Sequence, residues 1–113
     1  MALSKNCRLN KKGDIEAVLS SRRFVSIPTI TIRYVATKKD ITRFAFIVSK
    51  KTAKQSVTRN TIRRRASEWV RSHARVIRHG YDVVFVFKTG TTQTTKQEFY
   101  NNIATLIKRT PLI

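Results

Sequence analysis

The chain has 113 residues, enough for one domain and one hydrophobic core. Its hydrophobic fraction of 41% is ordinary, but 24 Lys and Arg against 6 Asp and Glu give a net charge of +18, which points to a folded binder of nucleic acid. It has no run of about 18 apolar residues to cross a membrane, no apolar signal core after Met1, and in Cys7 a lone cysteine that excludes an internal disulfide or a cysteine-cluster zinc site.

These features predict a cytoplasmic protein, and Cys7 reads as a passive side chain. From Lys12 to Ser21, Ile15, Val18 and Leu19 recur at i, i+3, i+4, with Asp14 and Glu16 in the first turn where acids suit the dipole, so a short amphipathic helix is expected. Phe24 and Val25 suggest a brief strand before Pro28. Thr29 to Ala36 then alternates, with Ile30, Ile32 and Tyr34 on one face and Thr29, Thr31 and Arg33 on the other. After a polar turn at Lys38, Lys39 and Asp40, the stretch Thr42 to Ser49 is apolar on both faces, Phe44, Phe46 and Val48 opposing Ala45 and Ile47, which predicts a central strand.

Helical spacing returns from Thr58 to His79. Ile62, Ala66, Trp69, Val70, His73 and Ile77 gather within about 120° of arc. Ser56 or Thr58 is placed to cap this helix and Gly80 to stop it. Tyr81 to Lys88 reads as a buried strand, Thr89 to Thr95 as a turn and cap region, and Phe99, Ile103, Leu106 and Ile107 as the stripe of a last helix before Pro111. The order predicts an α+β fold in one domain spanning 1–113, helices against a sheet, with a parallel strand pair joined through the long helix.

No active site is legible. The acids are Asp14, Glu16, Asp40, Glu68, Asp82 and Glu98, and none forms the convergent pair that two-metal hydrolysis needs. His73 falls on the apolar face of the long helix as a packing residue, and His79 sits near its end, where a cation suits the dipole. The expected catalytic and metal residues are therefore none.

The cations are organised differently. Seven of them, Lys50, Lys51, Lys54, Arg59, Arg63, Arg64 and Arg65, fall between positions 50 and 65 without an acid. With Ile62 at 0°, Asn60 lies at about 160°, Arg71 at about 180°, Arg64 at about 200° and Arg75 at about 220° around the long helix, opposite its core stripe. A merely solvated face would intersperse acids for i, i+4 pairs, whereas planar guanidinium groups suit phosphate. Lys50, Lys51 and Lys54 lead into the helix, and Arg59 and Asn60 lie at its N-terminus, where unpaired N–H groups attract phosphate. A second candidate surface is the strand face of Thr29, Thr31, Arg33 and Val35, which suits an extended single strand.

At these residues the chain resembles the protein subunit of bacterial ribonuclease P. Phe44 to Lys51 resembles that family's Phe-x-x-Ser-Lys-Lys strand end, and Arg59-Asn60-Thr61-Ile62-Arg63-Arg64-Arg65-Ala66-Ser67-Glu68 resembles its Arg-Asn-Arg-x-Lys-Arg-x-x-Arg-Glu box. Arg8 to Ile15 and Gly80 to Val84 are similar as well, so the likeness spans nearly the whole chain. The resemblance implies an α-β-β-β-α-β-α sandwich on a mixed four-stranded sheet, with a left-handed crossover, akin to a domain of ribosomal proteins and translation factors. It implies that a catalytic RNA, with magnesium, cleaves the 5′ leader from precursor tRNA, and that this protein, a monomer when alone, binds both RNAs. Carried over by position, Lys50, Lys51, Lys54, Arg59, Asn60, Arg63 and Arg64 would contact the catalytic RNA, joined by Arg71. Lys12, Ile15, Leu19, Thr31 and Arg33 would form the leader cleft.

Thr61 and Ser67 depart from the box by lacking a basic group, and Arg71, one turn on, is placed to compensate for Ser67. Ile15 and Leu19 stand where the family often has aromatics, which removes base stacking of about 1–3 kcal/mol per base. The competing readings are a ribosomal or RNA-chaperone protein without catalytic association, and an architectural protein with comparable affinity for duplex DNA.

Overall fold

The computed structural model describes residues 5–113. Its main elements are α1 (Lys12–Leu19), β1 (Phe24–Ile27), β2 (Ile30–Ala36), β3 (Arg43–Val48), α2 (Ser56–Ser72), β4 (Tyr81–Phe87) and α3 (Lys96–Ile107). One mixed sheet runs in the order β1-β2-β4-β3. β1 and β2 form an antiparallel hairpin across Pro28 and Thr29, β2 and β4 are also antiparallel, and β3 and β4 are parallel, joined through α2. The α+β sandwich implied by the resemblance is what the chain forms.

Strand alternation divides the core into two layers. On one face Ile30, Ile32, Phe44, Phe85 and Phe87 pack under Ile62, Ala66, Trp69 and Val70 of α2 and under Phe99, Ile103, Leu106 and Ile107 of α3. The opposite face carries Ala45 and Val84, covered by Val18 of α1 and by Leu9, with Ile15, Val35, Ile47 and Val86 around them. A single short helix, α1, covers this second face, where Ile15 of α1 and Thr31 and Arg33 of β2 stay only half-buried.

β3 is an edge strand, not the central one that its two apolar faces predict; β4 is central instead. Apolar residues on both faces report that helices lie above and below the strand, and this is true of β3 as of β4. Position within the sheet is a separate matter, set by lateral pairing. The free edge of β3 is partly closed by the N-terminal segment, where the Leu9 N–H donates to the Phe44 carbonyl at 2.8 Å.

α2 ends at Ser72, seven residues before the predicted His79. The cause is crowding at the Trp69 carbonyl, which faces the His73 N–H at 3.2 Å, the Ser72 hydroxyl at 2.9 Å and His73 Nδ1 at 2.7 Å. Side-chain groups that take up a carbonyl in this way compete with continuation of the helix. The His73 ring stacks on Trp69 with centroids 3.9 Å apart, so its predicted packing role holds at the helix end. Ile77 still reaches the core, but from the turn that follows. Gly80 therefore ends no helix; with φ of +92° it turns the chain into β4.

At the other end of α2, Gln55 is the cap residue and makes no side-chain cap bond, so neither Ser56 nor Thr58 acts as predicted. α3 has the cap that α2 lacks. Thr95 Oγ1 accepts the Glu98 N–H at 3.1 Å while Glu98 Oε1 accepts the Thr95 N–H at 2.9 Å, and the backbone bond from Thr95 holds the Glu98 carboxyl below its ordinary pKa.

Candidate nucleic-acid interface

The cationic crest begins where β3 ends. Ser49 anchors the turn by accepting the N–H groups of Thr52 and Ala53 at 3.1 Å each, and the Thr52 hydroxyl donates to the Phe87 carbonyl of β4 at 3.1 Å. The turn leaves Lys50, Lys51 and Lys54 exposed. Arg59 points back into this loop, its Nη1 donating to the carbonyls of Ala53 at 2.9 Å and Lys54 at 2.8 Å. It thus holds the lysine-bearing segment in place as well as adding charge.

One turn later, Asn60 Oδ1 accepts from Arg63 Nη1 at 2.8 Å, which fixes that guanidinium along the helix. Arg64 and Arg71 are both exposed on α2 and lie two turns apart on one side, as the spacing predicts. Arg75 leaves the stripe, because it lies beyond the end of α2. Ser67 and Arg63 of α2 line a groove of about 300 Å³ together with Arg8, Asn10, Ile15, Phe46 and Ile47. This groove joins the α2 crest to the α1 side of the sheet.

The residues of the second surface are less uniform. Ile15, Thr31 and Arg33 are half-buried on the α1 side, Leu19 is 36% exposed, and Lys12 is fully in solvent and 4.0 Å from Glu16. Arg33 is already held: its Nη1 donates to the Ser21 carbonyl at 2.6 Å, and its guanidinium lies 4.7 Å over the ring of Phe24. Phe24 was legible only as a strand residue. Its signal in the sequence is the run Arg22-Arg23-Phe24, an aromatic directly after two cations.

Two acids that look isolated in sequence converge on one arginine. Arg43 donates through Nε to Asp82 Oδ1 at 2.9 Å and through Nη2 to Asp82 Oδ2 at 2.7 Å, and reaches Asp14 at 3.5 Å. The bond to Asp82 raises the Arg43 pKa above its ordinary value. A guanidinium between two carboxylates ties α1 to the sheet and leaves no room for a cation to share them. Among the described residues no group of three or more His, Cys, Asp or Glu could hold a metal ion, and no helix is long and apolar enough to cross a membrane.

Residues 3–111 match the family model for ribonuclease P. The chain belongs to the ribonuclease P protein family. It is 32% identical over 108 residues to the ribonuclease P protein component of Caldanaerobacter subterraneus subsp. tengcongensis, covering 96% of this chain and 92% of that one. Against the ribonuclease P protein component of Clostridioides difficile it is 29% identical over 113 residues, covering 99% and 98%. The solved ribonuclease P protein of Staphylococcus aureus shares its fold with a TM-score of 0.87 at 21% identity, over 94% of this chain and 96% of that one. That of Thermotoga maritima does so with a TM-score of 0.81 at 19% identity, over 91% and 96%. The family resemblance read from the Arg59–Glu68 box is thereby established, and the ribosomal and DNA-architectural alternatives give way to it.

Proposed function

We propose that this chain is the RNA-binding protein subunit of a cytoplasmic ribonuclease P, acting as one domain that grips the catalytic RNA with one surface and the 5′ leader of precursor tRNA with another. The observation that carries this reading is the separation of two surfaces. Lys50, Lys51, Lys54, Arg64 and Arg71 form an exposed crest on α2 and the loop before it, while Ile15, Leu19, Thr31 and Arg33 lie part-exposed on the opposite, α1 side of the sheet. A crest of this kind holds a structured backbone through phosphates, and a sheet face with cationic and β-branched side chains receives an extended strand. On this reading magnesium finds its ligands on the RNA, and the protein alone is a non-catalytic monomer. The test is cleavage of precursor tRNA at low magnesium by protein alone, RNA alone and both together. Cleavage only where the catalytic RNA is present, enhanced by the protein, is the expected result; processing by RNA-free protein would overturn it.

The two surfaces should separate by mutation. Arg64→Ala is expected to weaken catalytic-RNA binding by about 1–3 kcal/mol, the range for charge-assisted phosphate contacts, with little effect on the preference for precursor over mature tRNA. Arg33→Ala should do the reverse, since the leader is the part of the precursor that the product lacks. Its loss should also lower the slope of log affinity against log salt by about 0.7 per phosphate contact removed. Titration of matched tRNAs with and without a five-nucleotide leader measures both effects, and equal weakening of the two tRNAs by Arg33→Ala would remove the cleft assignment.

A further inference from the structure

Phe24 has no role in the core. It belongs to neither packed layer, is 50% exposed, and is the aromatic among the exposed large apolar side chains of the described residues. It also lies on β1, an edge strand, where an exposed aromatic invites unwanted pairing. In the hairpin register Phe24 stands opposite Arg33, so the two side chains share the α1 face of the sheet. The ring is not loose. Arg33 lies 4.7 Å over one face, and Arg33 is itself fixed by its 2.6 Å bond to the Ser21 carbonyl, while the Ser21 hydroxyl donates to the Tyr34 carbonyl at 3.1 Å. A guanidinium-backed ring that stays half exposed is a surface on which a nucleobase stacks, and the adjacent Arg22 and Arg23 are both exposed.

We propose that Phe24, backed by Arg33, is the stacking platform for one unpaired base of the single-stranded leader, with Arg22 and Arg23 meeting the flanking phosphates. This rests on the leader-binding reading above and adds to it the residue that would do the work of the aromatics missing at Ile15 and Leu19. The ring is held in place before any strand arrives, so little side-chain freedom is lost on binding.

The experiment uses the reconstituted protein–RNA complex and measures affinity for precursor tRNAs carrying a single abasic nucleotide scanned through a five-nucleotide leader, alongside leaderless tRNA. With the natural protein, one position should lose about 5- to 150-fold in affinity when its base is removed, the effect expected for one base–aromatic stack. Phe24→Leu, which keeps apolar bulk and removes the ring, should weaken the intact precursor by a similar factor and abolish the abasic penalty at that position; Phe24→Trp should retain both. The platform is overturned if no leader position shows a penalty, if the penalty persists in full in Phe24→Leu, or if that variant weakens precursor and leaderless tRNA alike. Loss of precursor preference in Arg33→Ala but not in Phe24→Leu sinks the platform and leaves the leader cleft standing. Loss in neither variant sinks both.

Discussion

Asp82→Ala is expected to lower the unfolding free energy by about 3 kcal/mol, the lower end of the range for removing one partner of a buried ion pair. The side chains of Asp82 and Arg43 are only 9% and 16% exposed, and their two hydrogen bonds at 2.7 and 2.9 Å are bidentate. Truncation leaves the guanidinium in a poorly hydrated site with Asp14, at 3.5 Å, as its remaining carboxylate. Arginine is charged in the unfolded chain at working pH and the bond to Asp82 raises its folded pKa further, so the contribution of Arg43's own titration is fully present at working pH and is lost as pH rises to the alkaline extreme. Urea denaturation checks the prediction, as a lower midpoint with an unchanged slope. Asp82→Asn, which keeps an acceptor, should cost less. Because Arg43 also reaches Asp14 of α1, Asp82→Ala should loosen the helix that borders the cleft, and amide exchange should rise in α1 before it rises in α3. A wild-type midpoint for Asp82→Ala would show that the pair is hydrated and of little consequence.

Trp69→Ala should cost about 3–5 kcal/mol, the range for deleting a large aromatic from a packed core, and lower the melting temperature by about 10–20 °C for a chain of this size. Trp69 is buried against the sheet and carries the stacked His73 ring that closes α2. Its removal opens a cavity under the helix that displays Arg64 and Arg71 and leaves His73 without its platform. On the proposed function catalytic RNA binds the folded chain, so added RNA should recover part of the lost melting temperature. Arg64→Ala should behave oppositely, with a near-normal melting temperature and weaker RNA binding, because Arg64 is exposed and no part of the core. If Trp69→Ala melts like the natural protein, the packing described for α2 is wrong.

The residues determined much of this unaided. Alternation in Ile30, Ile32 and Tyr34, the i, i+3, i+4 recurrence in Ile15 and Val18, and the stripe of Ile62, Ala66, Trp69 and Val70 each specify which side of an element is buried, because period and burial are linked locally. The Phe44–Lys51 strand end and the Arg59–Glu68 box, together with Arg8 to Ile15 and Gly80 to Val84, carried the family resemblance over nearly the whole chain. What the sequence could not decide depends on contacts between residues far apart in the chain. A strand apolar on both faces looks the same at the edge as in the centre, so β3, expected in the centre, lies at the edge beside the buried β4. The end of α2 was set by Ser72 and His73 at a single carbonyl, while Ile77 kept the helical period through a turn that happens to return it to the core. The hydrogen bonds of Arg59 to the loop it follows, the convergence of Asp14 and Asp82 on Arg43, and the seating of Arg33 over Phe24 all arise from partners that periodicity does not relate. A side chain's spacing tells which way it points, and only the assembled fold tells what it meets there.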